Sequence, residues 1–477
     1  MISDEREGDL ARREFLKIAA AGSVSAAVPG AAPAARPSAI PAQREVDVAV
    51  VGAGLAGLTA ARALRKQRVA VCVLEARDRV GGRTLDHPIG GGHVVEGGGQ
   101  WVGPSQTQIL ALAAELGIGT YHSYTKGKTV LSLGGLRLTP NAGELDTKDM
   151  RRVKEALDTL AKEVPREAPW KAAHAEEWDG LTVADWLRTN ATEEETRQSL
   201  GLEIETAVGR ASQISLLYYL FYIHSAGGVH ALNVEAQELR FKGGPQALSK
   251  KIASFLQDDV VLSSPVSRIV SRGVQRLEVW SRRIRLLAKR VIVAMMPADT
   301  RRIEFVPGLP ATRRGLVKGW KGEPGFKVNV IYATPFWRKD GLSGLAVSDR
   351  GLVGVTFDNS PPDGSSGVLL GFISREQAPT GARARRHAVL ASLVAMFGKK
   401  AREPVDYLET DWGTEAWTAG CVSPLRPGVI TKYGRSLREP LGRIHWAGTE
   451  TSDIWCGYME GAVRSGRRVA AEVLKAL

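Results

Sequence analysis

Apolar and polar positions are most clearly ordered between residues 46 and 75. Val46 to Val51 is a short Val-rich run, the pattern of a strand buried on both faces. Gly52, Gly54 and Gly57 follow. Leu58 to Lys66 keeps its apolar residues on one helical face, and a second Val-rich run, Val69 to Leu74, ends at Glu75. This order of strand, glycine turn, helix, strand and acid predicts a βαβ unit that binds a dinucleotide. Gly52 permits the tight turn, Gly54 lets backbone approach a pyrophosphate, and Gly57 lets the helix lie close to the strand. The helix start, around Ala56, presents free N–H groups to the phosphates, and Glu75 accepts from the ribose hydroxyls.

The pattern then changes. Thr107 to Leu116 reads as an amphipathic helix. From about His122 to Glu238 the βαβ character disappears, and Lys148–Glu163, Val183–Arg188 and Glu193–Val208 read as helices. Ser215 to Ile223 is the most aromatic run, a core helix that could offer an edge such as Tyr222 to a substrate cavity. A helix from Pro245 to Leu256 precedes strands around Val260–Leu262, Ser267–Val270, Arg276–Trp280 and Arg285–Val293. Gly325 to Tyr332 alternates as a strand and carries one lysine, Lys327. His445–Ala447 reads as a strand end, and Gly457 to Leu474 as a closing helix.

Composition narrows the class. A chain of 477 residues exceeds one ordinary core, so two linked domains are expected. With 44% hydrophobic and 24% charged residues it reads as a soluble globular protein. The net charge of +13 comes without a basic run interleaved with aromatics, so it implies a basic surface and no nucleic-acid partner. Cys72, Cys421 and Cys456 are too scattered for a disulfide framework or a zinc site, and no metal is expected. Residues 1–43 are expected to stand apart from the fold. Arg12-Arg13-Glu14-Phe15-Leu16-Lys17 reads as a twin-arginine address, followed by an Ala-rich stretch and a Pro/Ala segment. That places the protein in the periplasm or outside the cell. No other stretch has the apolar length of a spanning helix, so no integral membrane anchor is expected.

Residues 76–84, ARDRVGGRT, extend the fingerprint with a second glycine pair. This stretch resembles the FAD-binding N-terminus of the flavin amine oxidase family, which includes the monoamine oxidases. The likeness runs from about Val46 to Leu474. It implies that Ala76, Arg77, Gly82 and Arg83 pass the flavin phosphates, and that Gly99, Gln100 and Trp101 of GGQWVGP lie along the isoalloxazine ring. Gln237 of QELRFKGG marks re-entry into the flavin domain and is a candidate substrate contact. Val266 would meet the adenine through its backbone. Lys327, just ahead of PFWRK, would hold a water against flavin N5. The second signature, WGTEAWTAG with IHWAGTETSDIWCGYMEG, implies cofactor contacts from Trp412, Gly448, Thr449, Glu450, Gly457, Tyr458 and Met459. The positive end of the closing helix would then face the flavin's pyrimidine edge.

Two departures stand out. Monoamine oxidases flank the flavin with two tyrosines; Tyr458 matches one, but the other position is Val422. Trp417 and Trp455 are candidates for the missing aromatic face. Cys421 stands where mammalian enzymes tether flavin covalently. Non-covalent FAD is expected here, with a bond at Cys421 as the alternative.

The resemblance implies an α/β fold: a discontinuous Rossmann-type FAD-binding domain (44–121, 241–308 and 412–477) plus an α+β substrate-binding domain (122–240 and 309–411). Lys327, Tyr458 and Trp417 are the expected catalytic group. A small amine and O2 are the expected partners, in a homodimer. The implied reaction is oxidative deamination with hydride transfer to N5 and release of hydrogen peroxide. Alternatives are a dehydrogenase with a protein or quinone acceptor, an L-amino-acid oxidase, a polyamine oxidase using Glu203, Glu205 or Glu235, and a non-catalytic flavin binder. WVGPSQ lacks the arginine that an amino-acid carboxylate would need.

Overall fold

The first strand, Ala42–Val51, lies between two parallel partners, Val71–Leu74 and Ile284–Ala294. It begins earlier than the Val-rich run predicts. Its register with Ile284–Ala294 starts at Ala42 opposite Ile284, so polar Gln43 and Arg44 join the ladder beyond the buried core. Residues 42–134, 136–141, 146–273, 275–322, 325–418, 420 and 424–477 are described in this computed structural model. The twin-arginine address, Cys421 and Val422 lie outside the described residues.

The first sheet has eight strands. Its order is Val260–Val261, Val71–Leu74, Ala42–Val51, Ile284–Ala294, Arg276–Ser281, Val266–Arg272 and Glu304–Val306, and Ile444–Ala447 adds to Ile284–Ala294. One face packs on the helices Leu55–Lys66, Gln246–Leu256 and Met459–Ala476, which meet in one apolar cluster. The opposite face has its own core around Val279, Leu286 and Trp446. The second sheet has seven strands, ordered Asp406–Asp411, Gly325–Tyr332, Gly367–Ser374, Val355–Asp358, Leu342–Ser348, Lys128–Leu133 and Leu136–Leu138. A helical layer, including Lys148–Lys162, Glu194–Ala207 and Leu216–Ala226, packs around the aromatic run. The fold is therefore α/β, a Rossmann-type sheet with an α+β layer beside it.

The strands Lys128–Leu133 and Leu136–Leu138 pair as a hairpin in residues 122–238, where the periodicity marked only helices. Lys128–Leu133 takes its parallel partner from Leu342–Ser348, far along the chain. Local periodicity carries no trace of a partner at that separation. The aromatic run is a helix, Leu216–Ala226, started by the Ser215 hydroxyl accepting from Tyr218 N and ended by left-handed Gly227.

Candidate active site

A cavity of about 1600 Å³ joins the glycine turn, the second sheet and the start of the C-terminal helix. Its dinucleotide end is built from backbone. Gly52 has φ +101°, and a Cβ there would stand 2.8 Å from Ala294 O. The helix Leu55–Lys66 starts from extended Gly54 without a side-chain cap, and Gly54, Leu55 and Ala56 line the cavity. Its first N–H groups are thus open to an anion, with the positive end of the dipole behind them. Buried Glu75 accepts from Ala53 N at 2.7 Å and from Arg77 N at 3.0 Å. Held this way, its carboxylate can also accept from ribose hydroxyls at the cavity wall. Ala76, Gly82 and Val266 line the same end.

Three residues expected at the cofactor are engaged with other parts of the chain. Gly57 does not line the cavity; a Cβ there would stand 2.0 Å from Gly52 O, so its hydrogen is what lets helix meet strand. Glu450 is buried behind the wall and pairs with Arg83 at 2.7 Å. It steadies a cation that does line the cavity. The Arg77 guanidinium lines the wall but is committed to Glu415 at 2.7 Å and Thr418 at 2.8 Å, which ties the fingerprint to the C-terminal signature.

At the other end, Gly99, Gln100, Trp101, Trp412, Gly448 and Thr449 line the wall. The close glycine packing here has a cause: a Cβ on Gly98 would stand 2.1 Å from Arg83 O. Trp412 Nε1 donates to Gly97 O at 2.8 Å, and the Thr449 hydroxyl donates to Tyr458 O at 2.7 Å. Gly457, Tyr458 and Met459 bring the uncapped start of the helix Met459–Ala476 to the cavity. Lys327 is buried rather than solvent-facing. The residue lines the cavity, and its ammonium donates to Gly98 O at 2.6 Å and to Gln100 Oε1. The Trp101 ring lies 5.7 Å away.

The Tyr458 ring has two aromatic neighbours. Tyr222 lies 6.0 Å from it at 40°, and Trp455 lies 4.8 Å from it, edge to face at 72°. Tyr222 lines the cavity and Trp455 does not. Trp455 is packed behind Tyr458, so it props the ring instead of supplying a second cage face. Trp417 lines the cavity beside Arg302, whose guanidinium sits 5.8 Å over its ring, next to the Arg77 anchors. Burial pushes both phenols, Tyr222 and Tyr458, above the usual range, so they stay protonated. Gln237 lines the cavity with its Nε2 on Leu232 O at 3.3 Å, while its buried Oε1 has no hydrogen-bond partner among the described residues.

Four buried polar residues behind Lys327 escape the sequence reading: Glu96, Arg240, Asn329 and Asn359. Glu96 and Arg240 pair at 2.8 Å. Their only local signal is a charge in an otherwise apolar setting. The two buried thiols, Cys72 and Cys456, are pushed up to about 11 and about 12 by burial, consistent with packing.

These residues fit a flavin dinucleotide: open helix starts at both ends, a ribose-facing carboxylate, and glycine walls that a Cβ would fill. The comparisons agree. Residues 55–474 match the model of the flavin containing amine oxidoreductase family. The chain belongs to that family. Similar to it is a Mycobacterium tuberculosis protein provisionally named flavin-containing monoamine oxidase AofH, 39% identical over 90% of this chain and 96% of that one. The solved structure of putrescine oxidase bound to putrescine shares 36% identity, with TM-score 0.87, covering 91% of this chain and all of that one. Cyclohexylamine oxidase from Brevibacterium oxydans IH-35A follows at 33%, with TM-score 0.86, covering 91% and 99%. As a flavin-containing amine oxidoreductase, this chain is an FAD-dependent enzyme that oxidises amines.

Proposed function

We propose that this amine oxidase acts on a monoamine with an apolar body and uses O2 as its acceptor. The observation that carries the reading is the lining of the cavity, where Gln237 is a polar residue among Leu202, Phe372, Ile373, Trp101 and Tyr458. A single acceptor suits one amine N–H, and the apolar wall favours the neutral, reactive form of the amine. The acids weighed for a polyamine do not make a cation tunnel. Glu203 is taken by Lys154 at 3.2 Å and by Asn233, and it does not line the cavity. Glu235 does not line it either, and Glu205 shares its wall with Arg197 and Arg210.

Bound FAD would supply the two-electron oxidation of the amine to an imine and, through O2, its own reoxidation with release of hydrogen peroxide. The chain's own work is positional and electrostatic. Tyr458 and Tyr222 form an aromatic edge that guides the amine. Lys327 holds protons and water at its Nζ. The start of the Met459–Ala476 helix favours negative charge at the cofactor's edge. Arg12 and Arg13 support export of the folded, FAD-loaded protein.

The test is anaerobic mixing of the yellow protein with cyclohexylamine, benzylamine, putrescine and an L-amino acid, followed by air and a peroxide assay. Monoamines are expected to bleach the flavin fastest, and air to restore it with peroxide. Bleaching by putrescine or the amino acid alone would overturn the monoamine reading. Bleached protein that stays bleached in air would identify a dehydrogenase instead.

A further inference from the structure

Behind Lys327 runs a buried chain of hydrogen bonds. Gln100 Oε1 accepts from the Lys327 ammonium, and Gln100 Nε2 donates to Asn359 Oδ1 at 2.8 Å. Asn359 Nδ2 donates to Glu96 Oε2 at 3.2 Å and to Asn329 Oδ1 at 2.9 Å. Asn329 Nδ2 donates to Glu96 O at 3.1 Å. Arg240 closes the far end, on the Glu96 carboxylate at 2.8 Å and on Asn359 O at 2.9 Å. Every side chain in the chain is buried.

The two ends set its direction. An ammonium only donates and a carboxylate only accepts. Between them each amide has one satisfying orientation, oxygen toward Lys327 and nitrogen toward Glu96. The geometry points to Asn359 and Gln100 as positioning residues that, anchored on Glu96, aim the Lys327 ammonium at the cavity and strengthen its hold on its proton. This rests on Lys327 being the residue at the flavin face. Glu96 acts as a remote counter-ion through two aligned amide dipoles, which count for more in a buried, low-dielectric site than in water. Arg240 keeps that carboxylate ionised.

Other titratable groups face the same region. Burial raises Asp86 to about 7 and lowers His87, so both titrate below a lysine. Tyr222 and Tyr458 are pushed up by burial, beyond the usual lysine range. The imide N–H of a bound flavin is itself a weak acid that titrates in alkaline solution, so the step assigned to Lys327 is the alkaline step that Lys327→Met removes.

Two readouts test this on the FAD-loaded protein: the pH difference spectrum of the oxidised flavin, and the pH profile of reoxidation in air after chemical reduction. Lys327→Met is expected to remove one alkaline step from both, leaving that of the flavin imide; if no step is lost, the reading of Lys327 fails whatever the network does. Given that loss, Asn359→Leu is expected to move the transition down by about one pH unit. Glu96→Gln is expected to do the same, because a second amide there lets the chain reverse. A transition lost in Lys327→Met but unmoved in both network variants overturns the inference. Colourless protein from both, with collapsed thermal melting, would make the network a structural brace and would overturn it too.

Discussion

Arg83 and Glu450 form an ion pair at 2.7 Å, closing the N-terminal glycine fingerprint onto the C-terminal signature at one cavity wall. Arg77 repeats the connection through Glu415 and Thr418. The two sequence motifs are thus one site, the C-terminal signature holding both cations of the fingerprint in place.

Breaking the first link should cost both stability and cofactor. Arg83→Met removes the cation paired with a buried carboxylate, a loss on the order of 3 kcal/mol. Urea unfolding should show a lower midpoint, and gel filtration should strip FAD that the parent retains. Full FAD retention at unchanged stability would show the pair to be incidental.

The helix-to-strand contact at Gly57 is steric. In Gly57→Ala the new Cβ would stand 2.0 Å from Gly52 O, a distance at which backbone must shift. The flavin-to-protein ratio should fall at least about tenfold, because the turn and the first N–H groups move together. Gly180→Ala is the control: it meets open space in a helix and should leave the ratio unchanged.

Gln237→Leu replaces the orphan acceptor with a shape of similar size. Amine reduction of the flavin should slow about tenfold, the worth of one hydrogen bond to substrate. Reoxidation in air should keep its parental rate, since Lys327 is untouched. An equal loss in both half-reactions would place Gln237 away from the amine.

Asp86 makes stability depend on pH. Burial, aided by the nearby Glu96 carboxylate, raises its carboxyl to about 7, whereas an unfolded aspartate titrates near about 3.9. Between those values the folded protein binds the extra proton, so stability falls as pH rises through that window. Asp86→Asn should flatten this slope. Above pH about 8 it should be more stable than the parent by roughly 1–2 kcal/mol, after allowing for partial solvent screening. Thermal melting at several pH values reads both effects.

Much of the site was legible along the chain. The Val-rich strands, the turn at Gly52 and the strand Gly325–Tyr332 are local patterns, because burial on both faces and positive φ leave direct marks on residue choice. The family likeness added Lys327 and Tyr458, and both face the cavity. Trp455 and Glu450 were misplaced for the same reason: a motif tells which residues cluster, but not which of two neighbouring side chains faces inward.

By itself the sequence determined the dinucleotide unit, through short-range spacing, and its resemblance to the flavin amine oxidases supplied the cofactor class and the pairing of two distant signatures. Only the tertiary structure decided that Lys128–Leu133 is a strand, that Arg77 is tied to Glu415, and that Glu96, Asn359 and Gln100 stand in line behind Lys327. Those features depend on hydrogen bonds between residues far apart in the chain. A buried polar group declares its partner only once the chain has closed around it.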